Sequence, residues 1–357
     1  MPNIVIQDDK VIRALQVILD PDTDPARQAA FADYYSVDVD DFLGWCEELR
    51  ARIPGMIPSH FTNAGNQAEF DAALNDADGA VVESLRFGEE QLAKAPNIRI
   101  VHKFGTDARN IDQPACEKRG VTVATVRRRV NVAVAEHAFA LMMALAKKIC
   151  LIHKRLTMES LHEIGFPARL YDTTQSPGSN WARVSGLRTL EGATIGLLGL
   201  GEIGREMARR ANAFGMRVLY TQRNRLPEEI ESPLGALYVP LDELLPAADF
   251  ISVHLPMNKS TENMLDSAAF AKMKPGAMLI NISRAHIVNQ KALMAALESG
   301  RLGGAALDVH YQEPGSDDDP MLALPNVVLT PHTAVATREL GVLDMEEMVG
   351  NFASVLG

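Results

Sequence analysis

A glycine-rich turn between an apolar strand and a helix constrains this chain more than any other feature of its sequence. Residues 194–204 read Thr-Ile-Gly-Leu-Leu-Gly-Leu-Gly-Glu-Ile-Gly and place Gly199, Gly201 and Gly204 at the spacing of a dinucleotide-binding βαβ unit. The first glycine permits a tight turn, the second lets the backbone approach a pyrophosphate, and the third lets helix and strand pack closely. The N-terminus of the helix directs its free N–H groups at the phosphates.

The residues after this turn continue the pattern. Apolar residues recur at helical spacing, and a second strand runs to residues 220–222. The order of strand, turn, helix and strand predicts a dinucleotide site with contacts at Gly199, Gly201, Glu202 and Ile203. The apolar positions of the helix are Ile203, Met207, Ala208, Ala211 and Phe214.

The rest of the chain alternates strands and helices, which predicts an α/β protein with parallel sheets. A length of 357 residues is enough for two domains. Helices are predicted at residues 41–52, 89–94 and 131–148, and residues 164–190 are predicted to form a loop. The predicted strands are 16–19, 80–82, 99–102 and 121–124 before the glycine-rich turn, and 250–255, 277–282, 305–309 and 327–329 after it.

Composition excludes several function classes. A net charge of −11 disfavours nucleic acid and anionic membrane surfaces as partners. The longest apolar run, residues 138–146, is too short to span a bilayer, and the N-terminus lacks the pattern of a secretion signal. The three cysteines have no metal-ligand spacing, so we predict no metal, no membrane or nucleic-acid partner, and a cytoplasmic protein.

Three polar residues follow predicted strands of the second half of the chain. Arg284, Glu313 and His332 come after the strands at 277–282, 305–309 and 327–329, and such loops face the ligand crevice of a doubly wound fold. An arginine fork can hold a 2-keto acid by its carboxylate and polarise its carbonyl. His332 can exchange a proton with the substrate oxygen, with Glu313 bonded to the other ring nitrogen.

These segments together resemble the D-isomer-specific 2-hydroxyacid dehydrogenases over about residues 80–340. The resemblance implies two doubly wound parallel-sheet domains, a Rossmann nucleotide-binding domain (131–332) inserted into a flavodoxin-like substrate domain (1–130 and 333–357). It also implies a homodimer that transfers hydride between a nicotinamide cofactor and a 2-keto or D-2-hydroxy acid. The matching stretches are residues 134–137, 190–216, 254–256 with Thr261, 273–284, 304–309 with Glu313-Pro314, and 330–332.

The resemblance also implies residue roles. Arg284 corresponds to the substrate-binding arginine, Glu313 to the acid that orients the histidine, and His332 to the acid/base. Asp308 corresponds to a contact of the nicotinamide carboxamide, whereas His137 is predicted to be structural. The remaining cofactor contacts in the matched stretches are Leu255, Pro256, Thr261, Ile282 and Ser283.

The end of the second strand of the βαβ unit departs from the NAD-binding pattern. An acid there usually binds the adenosine ribose, but this chain has Gln222, followed by Arg223 and Arg225. An acid would repel a 2′-phosphate, whereas glutamine with two arginines would favour it. We therefore predict NADP as the cofactor, with NAD less favoured. The alternative interpretation is that both arginines are solvated charges of a loop.

The substrate side is predicted on the first domain. Gly105 and Thr106, together with Ser84 and Leu85 in the loop 84–86, can present backbone N–H groups to a substrate carboxylate. The arginines of this half of the chain could recognise a second acidic group of the substrate, although balancing charge on an acidic protein explains them as well. They are Arg86, Arg109 and Arg127 to Arg129.

Two other functions stay open. Residues 220–227 also resemble formate dehydrogenases, although those enzymes pair the catalytic histidine with glutamine rather than with an acid such as Glu313. A nucleotide-sensing binding protein without turnover is the alternative outside the enzymes, and the intact set of Arg284, Glu313 and His332 argues against it.

Overall fold

The computed structural model describes residues 1–335 and 337–357, and the chain divides into two compact units. Unit 1 comprises Met1–Asn131 and Ala336–Gly357, and unit 2 comprises Val132–Val335. Asn131 and residues 333–335 therefore lie in the other unit from the one predicted, and Ala336 of the predicted segment lies outside the described residues. Residues 333–335 belong to unit 2 because Asp308 of that unit holds them. Its carboxylate accepts hydrogen bonds from the N–H groups of Thr333 and Ala334 at 2.9 Å each.

Unit 1 contains a parallel sheet of five strands. They are β1 (Asn3–Gln7), β2 (His60–Ala64), β3 (Gly79–Val82), β4 (Ile100–Lys103) and β5 (Thr122–Thr125). Their spatial order, β2–β1–β3–β4–β5, is the order of flavodoxin-like doubly wound sheets, which confirms the predicted fold class for this unit.

Both faces of this sheet are covered by apolar clusters. Side chains alternate along each strand, so one strand contributes to both clusters. Ile4 and Ile6 of β1 pack into one apolar cluster, whereas Val5 packs into a second cluster with Phe70. The helix Glu339–Leu356 contributes Phe352 and its apolar neighbours to the first cluster. The other helices that lie wholly in unit 1 are Ala14–Leu19, Pro25–Tyr35, Phe42–Arg52, Gln67–Ala73, Glu89–Lys94 and Gln113–Lys118, with 3₁₀ turns at Pro54–Met56 and Leu74–Asp76.

The predicted strand at residues 16–19 is wrong, since these residues belong to the helix Ala14–Leu19. All six residues of that helix are buried, so no polar face is present to reveal the helical period. The first strand of the unit is β1, which the sequence reading did not identify.

Unit 2 contains a parallel sheet of seven strands. They are β6 (Thr194–Leu198), β7 (Arg217–Thr221), β8 (Ala236–Tyr238), β9 (Phe250–Val253), β10 (Ala277–Asn281), β11 (Leu302–Leu307) and β12 (Val327–Leu329). The spatial order is β12–β11–β10–β9–β6–β7–β8. Counted from β6, this is the strand order 3-2-1-4-5-6 of a Rossmann sheet with a seventh strand added, as predicted.

Helices join most of these strands, while most of the segment 164–190 has no regular secondary structure, as predicted. The helix Arg129–Ala146 spans the point at which the chain passes from unit 1 to unit 2. The helices within unit 2 are Ile149–Ile152, Met158–His162, Glu202–Ala213, Glu228–Glu231, Leu241–Ala247, Ser267–Lys272 and Gln290–Glu298, with 3₁₀ turns at Ser232–Leu234, Ala285–Ile287 and Pro320–Ala323.

One helix among the described residues, Arg129–Ala146, is long and apolar enough to cross a membrane by length and composition alone. The predicted short apolar run, residues 138–146, is thus part of an 18-residue helix. Of this helix 56% is buried inside the molecule, and buried core helices pass the same test of length and composition.

Candidate active site

The predicted site residues of unit 2 lie along one edge of its sheet. The last residues of six strands pair with one another in a continuous row, and the segments that carry the site residues begin directly after this row. Because parallel strands bring their carboxyl ends to the same ligand-binding edge, the fold collects residues from distant parts of the sequence here. The row runs Thr221, Leu198, Val253, Asn281, Leu307 and Leu329, from β7 to β12.

The glycine-rich turn has the geometry that a dinucleotide needs. Gly199 has a φ of +99°, and a Cβ there would lie 2.8 Å from the carbonyl oxygen of His254. A Cβ on Gly204 would lie 2.3 Å from the oxygen of Gly199, so the helix can pack this close only with glycine. A Cβ on Gly201 would meet no atom of the described residues within 4 Å.

Gly201 also begins the helix Glu202–Ala213 without a side-chain cap. The first N–H groups of that helix, which starts with Glu202 and Ile203, therefore face the space that is open beside Gly201. Two tightly packed glycines around one open glycine fit the approach of a pyrophosphate, so these residues fit a bound dinucleotide.

The end of β7 holds the residues that would meet the adenosine ribose. The side-chain oxygen of Gln222 accepts the N–H of Leu200 at 3.0 Å, and its amide donates to the carbonyl oxygen of Asn224 at 2.7 Å. Arg223 is exposed and, within residues 1–335 and 337–357, has no hydrogen bond or ion pair. Gln222 is therefore fixed against the glycine-rich turn, whereas the guanidinium of Arg223 is open.

Arg225 differs from Arg223. Its guanidinium pairs with the buried Glu231, with Nη2 to Oε2 at 2.7 Å and Nε to Oε1 at 3.0 Å. The hydroxyl of Tyr220 donates to the same carboxylate. The role of both arginines in cofactor binding stays a prediction, and Arg225 in addition compensates the buried charge of Glu231.

The loops after β9 and β10 are held by side chains that were predicted to touch the cofactor. The Ser283 hydroxyl donates to the carbonyl of Val253 at 2.6 Å, and the Thr261 hydroxyl donates to the carbonyl of Pro256 at 2.7 Å. Both hydroxyls thus bond backbone carbonyl groups of unit 2 and hold these loops in place. The other predicted contacts of these loops are the half-buried Leu255, the exposed Pro256 and the buried Ile282.

His254 lies against the glycine-rich turn, and the sequence reading did not single it out. Its Nε2 bonds the hydroxyl of Ser252 at 2.9 Å, whereas its buried Nδ1 has no partner among the described residues. Burial lowers the pKa of this imidazole to about 4, so the ring is neutral near pH 7.

A histidine and a carboxylate pair at the ends of β11 and β12. Nδ1 of His332 lies 2.8 Å from Oε2 of Glu313, and the N–H of His310 donates to Oε1 of Glu313 at 2.9 Å. Burial works to raise the pKa of the Glu313 carboxyl, but these two hydrogen bonds outweigh it and the pKa is lowered. The carboxylate is therefore ionised and fixes one tautomer of His332.

The other nitrogen of His332, Nε2, bonds no atom in the part of the chain that the structure describes. His332 has a φ of +56°, in the left-handed region that side chains other than glycine rarely adopt. The pair opens on a pocket of about 530 Å³, whose lining also includes Pro314, Leu322 and Thr330.

Arg284 follows β10 and is exposed. Its Nη1 donates to the carbonyl of Ser283 at 2.6 Å, while Nε and Nη2 donate to none of the described residues. One side of the guanidinium therefore anchors the side chain, and the other side presents the parallel N–H pair that binds a carboxylate.

Asp308 is predicted to contact the nicotinamide, and its carboxylate is bonded within unit 2. The residue is fully buried, and its oxygens accept the hydroxyl of Thr330 at 2.6 Å and the N–H groups of Thr333 and Ala334. Nε2 of His137 lies 3.4 Å from the same carboxylate and 3.1 Å from the Thr330 hydroxyl. The nicotinamide contact of Asp308 stays a prediction, and its hydrogen bonds hold the segment that carries His332.

The predicted substrate residues belong to unit 1. The N–H groups of Ser84 and Leu85 both donate to the side-chain oxygen of Gln7, at 2.8 and 3.0 Å, so in this structure neither is presented to a ligand. The N–H of Gly105 donates to the carbonyl of Lys103 at 3.0 Å, and Thr106 is exposed. Gln7 was missed, because no sequence spacing relates it to a loop about 77 residues away.

Several arginines of unit 1 are held by other side chains. Arg109 forms a two-pronged ion pair with Asp107 at 2.7 Å, and Arg129 pairs with Asp344 and Glu347 at 2.8 Å each. The guanidinium of Arg128 lies 4.1 Å from the centre of the Phe104 ring. Among the described residues, no group of three His, Cys, Asp or Glu is placed to hold a metal ion.

Comparison with known families adds an independent result. The family model of the NAD binding domain of the D-isomer specific 2-hydroxyacid dehydrogenases matches residues 139–334. This range contains the glycine-rich turn and the Arg284, Glu313 and His332 set, and it covers more than half of the chain.

Individual proteins are also similar to this chain. A glyoxylate reductase of Korarchaeum cryptofilum (strain OPF8) is 38% identical over 253 residues, which are 70% of each protein. A glyoxylate/hydroxypyruvate reductase B of Yersinia pestis (strain Pestoides F) is 36% identical over 77% of this chain and 79% of that protein. The structure of an acyclic imino acid reductase in complex with NADPH and D-Arg is 28% identical, with a TM-score of 0.53, and covers 86% of this chain and 92% of its own.

Proposed function

The chain belongs to the D-isomer specific 2-hydroxyacid dehydrogenases, which makes it an NAD(P)-dependent oxidoreductase, and from that premise we propose that it reduces a 2-keto acid to the D-2-hydroxy acid with a preference for NADPH. The observation that carries this proposal is the pair of His332 and Glu313, 2.8 Å apart, with the second ring nitrogen of His332 open. The glyoxylate and hydroxypyruvate reductases among the relatives favour a small 2-keto acid as the substrate.

The residues divide the work as follows. Arg284 binds the substrate carboxylate through Nε and Nη2 and polarises the adjacent carbonyl. Nε2 of His332 donates a proton to the carbonyl oxygen, and Glu313 stabilises the imidazolium through Nδ1. A bound reduced nicotinamide supplies the hydride. In the opposite direction, His332 removes the proton of the hydroxyl group.

The test is NADPH oxidation by the purified protein with glyoxylate, hydroxypyruvate, pyruvate and phenylpyruvate. We expect turnover with at least one of these acids, and the D-isomer as the product. NADPH binding without turnover of any acid would contradict the proposal and favour the nucleotide-sensing alternative. Formate with NADP⁺ is the second arm, and the acid at Glu313 argues against turnover there.

The preference for NADPH is supported by Gln222 and Arg223. No carboxylate at the end of β7 repels a 2′-phosphate, and the open guanidinium of Arg223 can bind one. We expect Arg223→Ala to weaken NADPH binding about tenfold or more, the equivalent of one charged hydrogen bond, and to leave NADH binding unchanged.

The second variant is Gln222→Asp, which restores an acid at the end of β7 and which we expect to shift the cofactor preference toward NADH. Dissociation constants of both cofactors for the wild type and the two variants, measured by quenching of protein fluorescence, decide the question. Tighter binding of NADH than of NADPH by the wild type would refute the preference.

The homodimer and the cytoplasmic location also stay proposals, and both rest on family resemblance and composition. Sedimentation equilibrium measures the first. A mass of about 78 kDa, twice the 38.9 kDa of one chain, is the expected result.

A further inference from the structure

Two loops lie side by side at the end of the β11–β12 strand pair, and His310 forms hydrogen bonds to both. Leu307 of β11 pairs with Leu329 of β12, so the residues that follow the two strands are neighbours. In its own loop, the N–H of His310 donates to Oε1 of Glu313 at 2.9 Å. Its ring Nε2 donates to the carbonyl oxygen of Thr330 in the other loop, at 2.8 Å. Because a carbonyl oxygen only accepts, this ring nitrogen carries a proton.

The carbonyl of Thr330 also holds the backbone of His332. The N–H of His332 donates to the same oxygen at 3.0 Å, and Nδ1 of His332 lies 2.8 Å from Oε2 of Glu313. These hydrogen bonds close a circuit within unit 2. His310 thus bonds both groups that hold His332 in place, the carboxylate on one side and the carbonyl on the other.

We propose that His310 is a positioning residue of this dehydrogenase: its ring N–H fixes the carbonyl of Thr330 and, through that carbonyl, the backbone from which His332 presents Nε2. This inference rests on the proposed function, which makes His332 the proton donor. The sequence reading did not single out His310, because its ring and the carbonyl that it bonds are 20 residues apart.

The backbone of His332 requires such support. Its φ of +56° is rarely adopted by residues other than glycine, and such conformations persist only where the surrounding structure determines them strongly. The hydroxyl of Thr330 is held by Asp308 at 2.6 Å, but that bond fixes the side chain and not the peptide carbonyl. The ring of His310 supplies a second donor to the carbonyl oxygen, so both of its lone pairs are used. His310 is half-buried, which reduces the competition of water for this bond.

The test compares two substitutions of His310. Phenylalanine keeps a ring and removes the donor, whereas glutamine removes the ring and keeps an N–H donor at the end of its side chain. For His310→Phe we expect the kcat of the best 2-keto acid to fall about tenfold, because a small displacement of the proton donor slows the reaction. The KM of the acid and the dissociation constant of NADPH should change by less than about twofold, since neither the arginine nor the glycine-rich turn is altered. For His310→Gln we expect a kcat within about twofold of the wild type.

The matched control is His153→Phe, the same substitution at an exposed histidine of unit 2 whose side chain bonds none of the described residues. It should leave kcat, KM and the dissociation constant of NADPH unchanged. Equal losses of kcat in His310→Phe and His310→Gln would overturn the inference, because the ring and not its hydrogen bond would then matter. An unchanged kcat in His310→Phe would overturn it as well.

Proton NMR of the protein without substrate tests the inference independently of turnover. The proton between Nδ1 of His332 and Glu313 should give a downfield resonance that is absent from His332→Ala. We expect this resonance to broaden in His310→Phe, since a displaced His332 exchanges the proton with water faster, and to stay sharp in His310→Gln and His153→Phe. That result supports the positioning of His332 even if no 2-keto acid is reduced, in which case only the proposed function fails. A resonance that is equally sharp, equally broad or absent in both His310 variants would contradict the inference.

Discussion

The carboxyl edges of the two sheets follow the same doubly wound plan but differ in how their polar groups are used. In unit 2, Arg284 and His332 each keep at least one nitrogen without a partner among the described residues. In unit 1, the N–H groups of residues 83–86 are all taken by Gln7 and Gln67. Position at the carboxyl edge therefore brings a group to the end of its own sheet, while its hydrogen-bond partners decide whether it is available to a ligand.

The largest effect is expected from His332→Ala, at the carboxyl edge of the sheet of unit 2, which we call the open edge. Loss of the proton donor should lower kcat about a thousandfold, within the usual range for general acid catalysis. The dissociation constant of NADPH should stay nearly the same, because the glycine-rich turn lies on the other strands of the sheet. Steady-state oxidation of NADPH at saturating 2-keto acid measures kcat, and fluorescence titration measures the dissociation constant of NADPH.

The exposed His153 of the same unit gives the control, and His153→Ala should have no effect on either quantity. A parallel loss of NADPH affinity in His332→Ala would break the comparison, because His332 would then support the whole edge rather than act as an open group.

The next effect compares one histidine in each unit, the fully buried His102 and the half-buried His254, whose Nδ1 is shielded from solvent. Burial lowers the pKa of His102 to about 4, although a hydrogen bond to the Lys103 carbonyl opposes the shift, and burial lowers that of His254 to about 4 as well. Both rings stay neutral in the folded protein, while the unfolded chain protonates them near pH 6.5. The stability they confer is therefore full above pH 6.5 and is lost as the pH falls toward 4.

Each histidine should lower the free energy of unfolding by about 2 kcal/mol between pH 6.5 and pH 5, and by about 3 kcal/mol at pH 4. Urea unfolding at pH 7.5 and pH 5 measures this loss. The imidazole proton resonances of His102 and His254 should not titrate above pH 5. Titration of either ring near pH 6.5 would show that its burial is incomplete.

The sequence predicted what depends on spacing and strand order. Gly199, Gly201 and Gly204 have a fixed spacing, and Arg284, Glu313 and His332 each follow a strand, so a known fold class brings them to one edge. The strand at residues 16–19 was wrong because a fully buried helix shows no period. Local patterns therefore predicted the strands of unit 2 better than the first strands of unit 1.

The partners of polar groups could not be predicted, because they come from residues distant in sequence. Gln7 reaches a loop about 77 residues away, and Asp308 is buried by the segment 330–334. Arg225 lies beside Arg223, yet only Arg225 meets a buried carboxylate. Two residues of the same type, two positions apart, thus differ in availability for a reason that only the three-dimensional structure contains.

The smallest effect is expected from Thr330→Val, which tests how the open edge is positioned. The Thr330 hydroxyl donates to Asp308 at 2.6 Å and lies 3.1 Å from Nε2 of His137, while its carbonyl accepts the N–H of His332 at 3.0 Å. Valine keeps the shape of threonine and removes these two partly buried hydrogen bonds of the hydroxyl, so the free energy of unfolding should fall by about 2 kcal/mol. Because Asp308 keeps its two backbone N–H partners, kcat should fall only severalfold.

The matched control is Thr333→Val in the same segment, since the side chain of Thr333 is exposed and bonds none of the described residues. Its free energy of unfolding should change by no more than about 0.5 kcal/mol. Urea unfolding and kcat of both variants decide whether the buried carboxylate holds His332 in place. If Thr330→Val matched the control in both measurements, the position of His332 would rest on its pair with Glu313, and the two edges would differ less than their hydrogen bonds indicate.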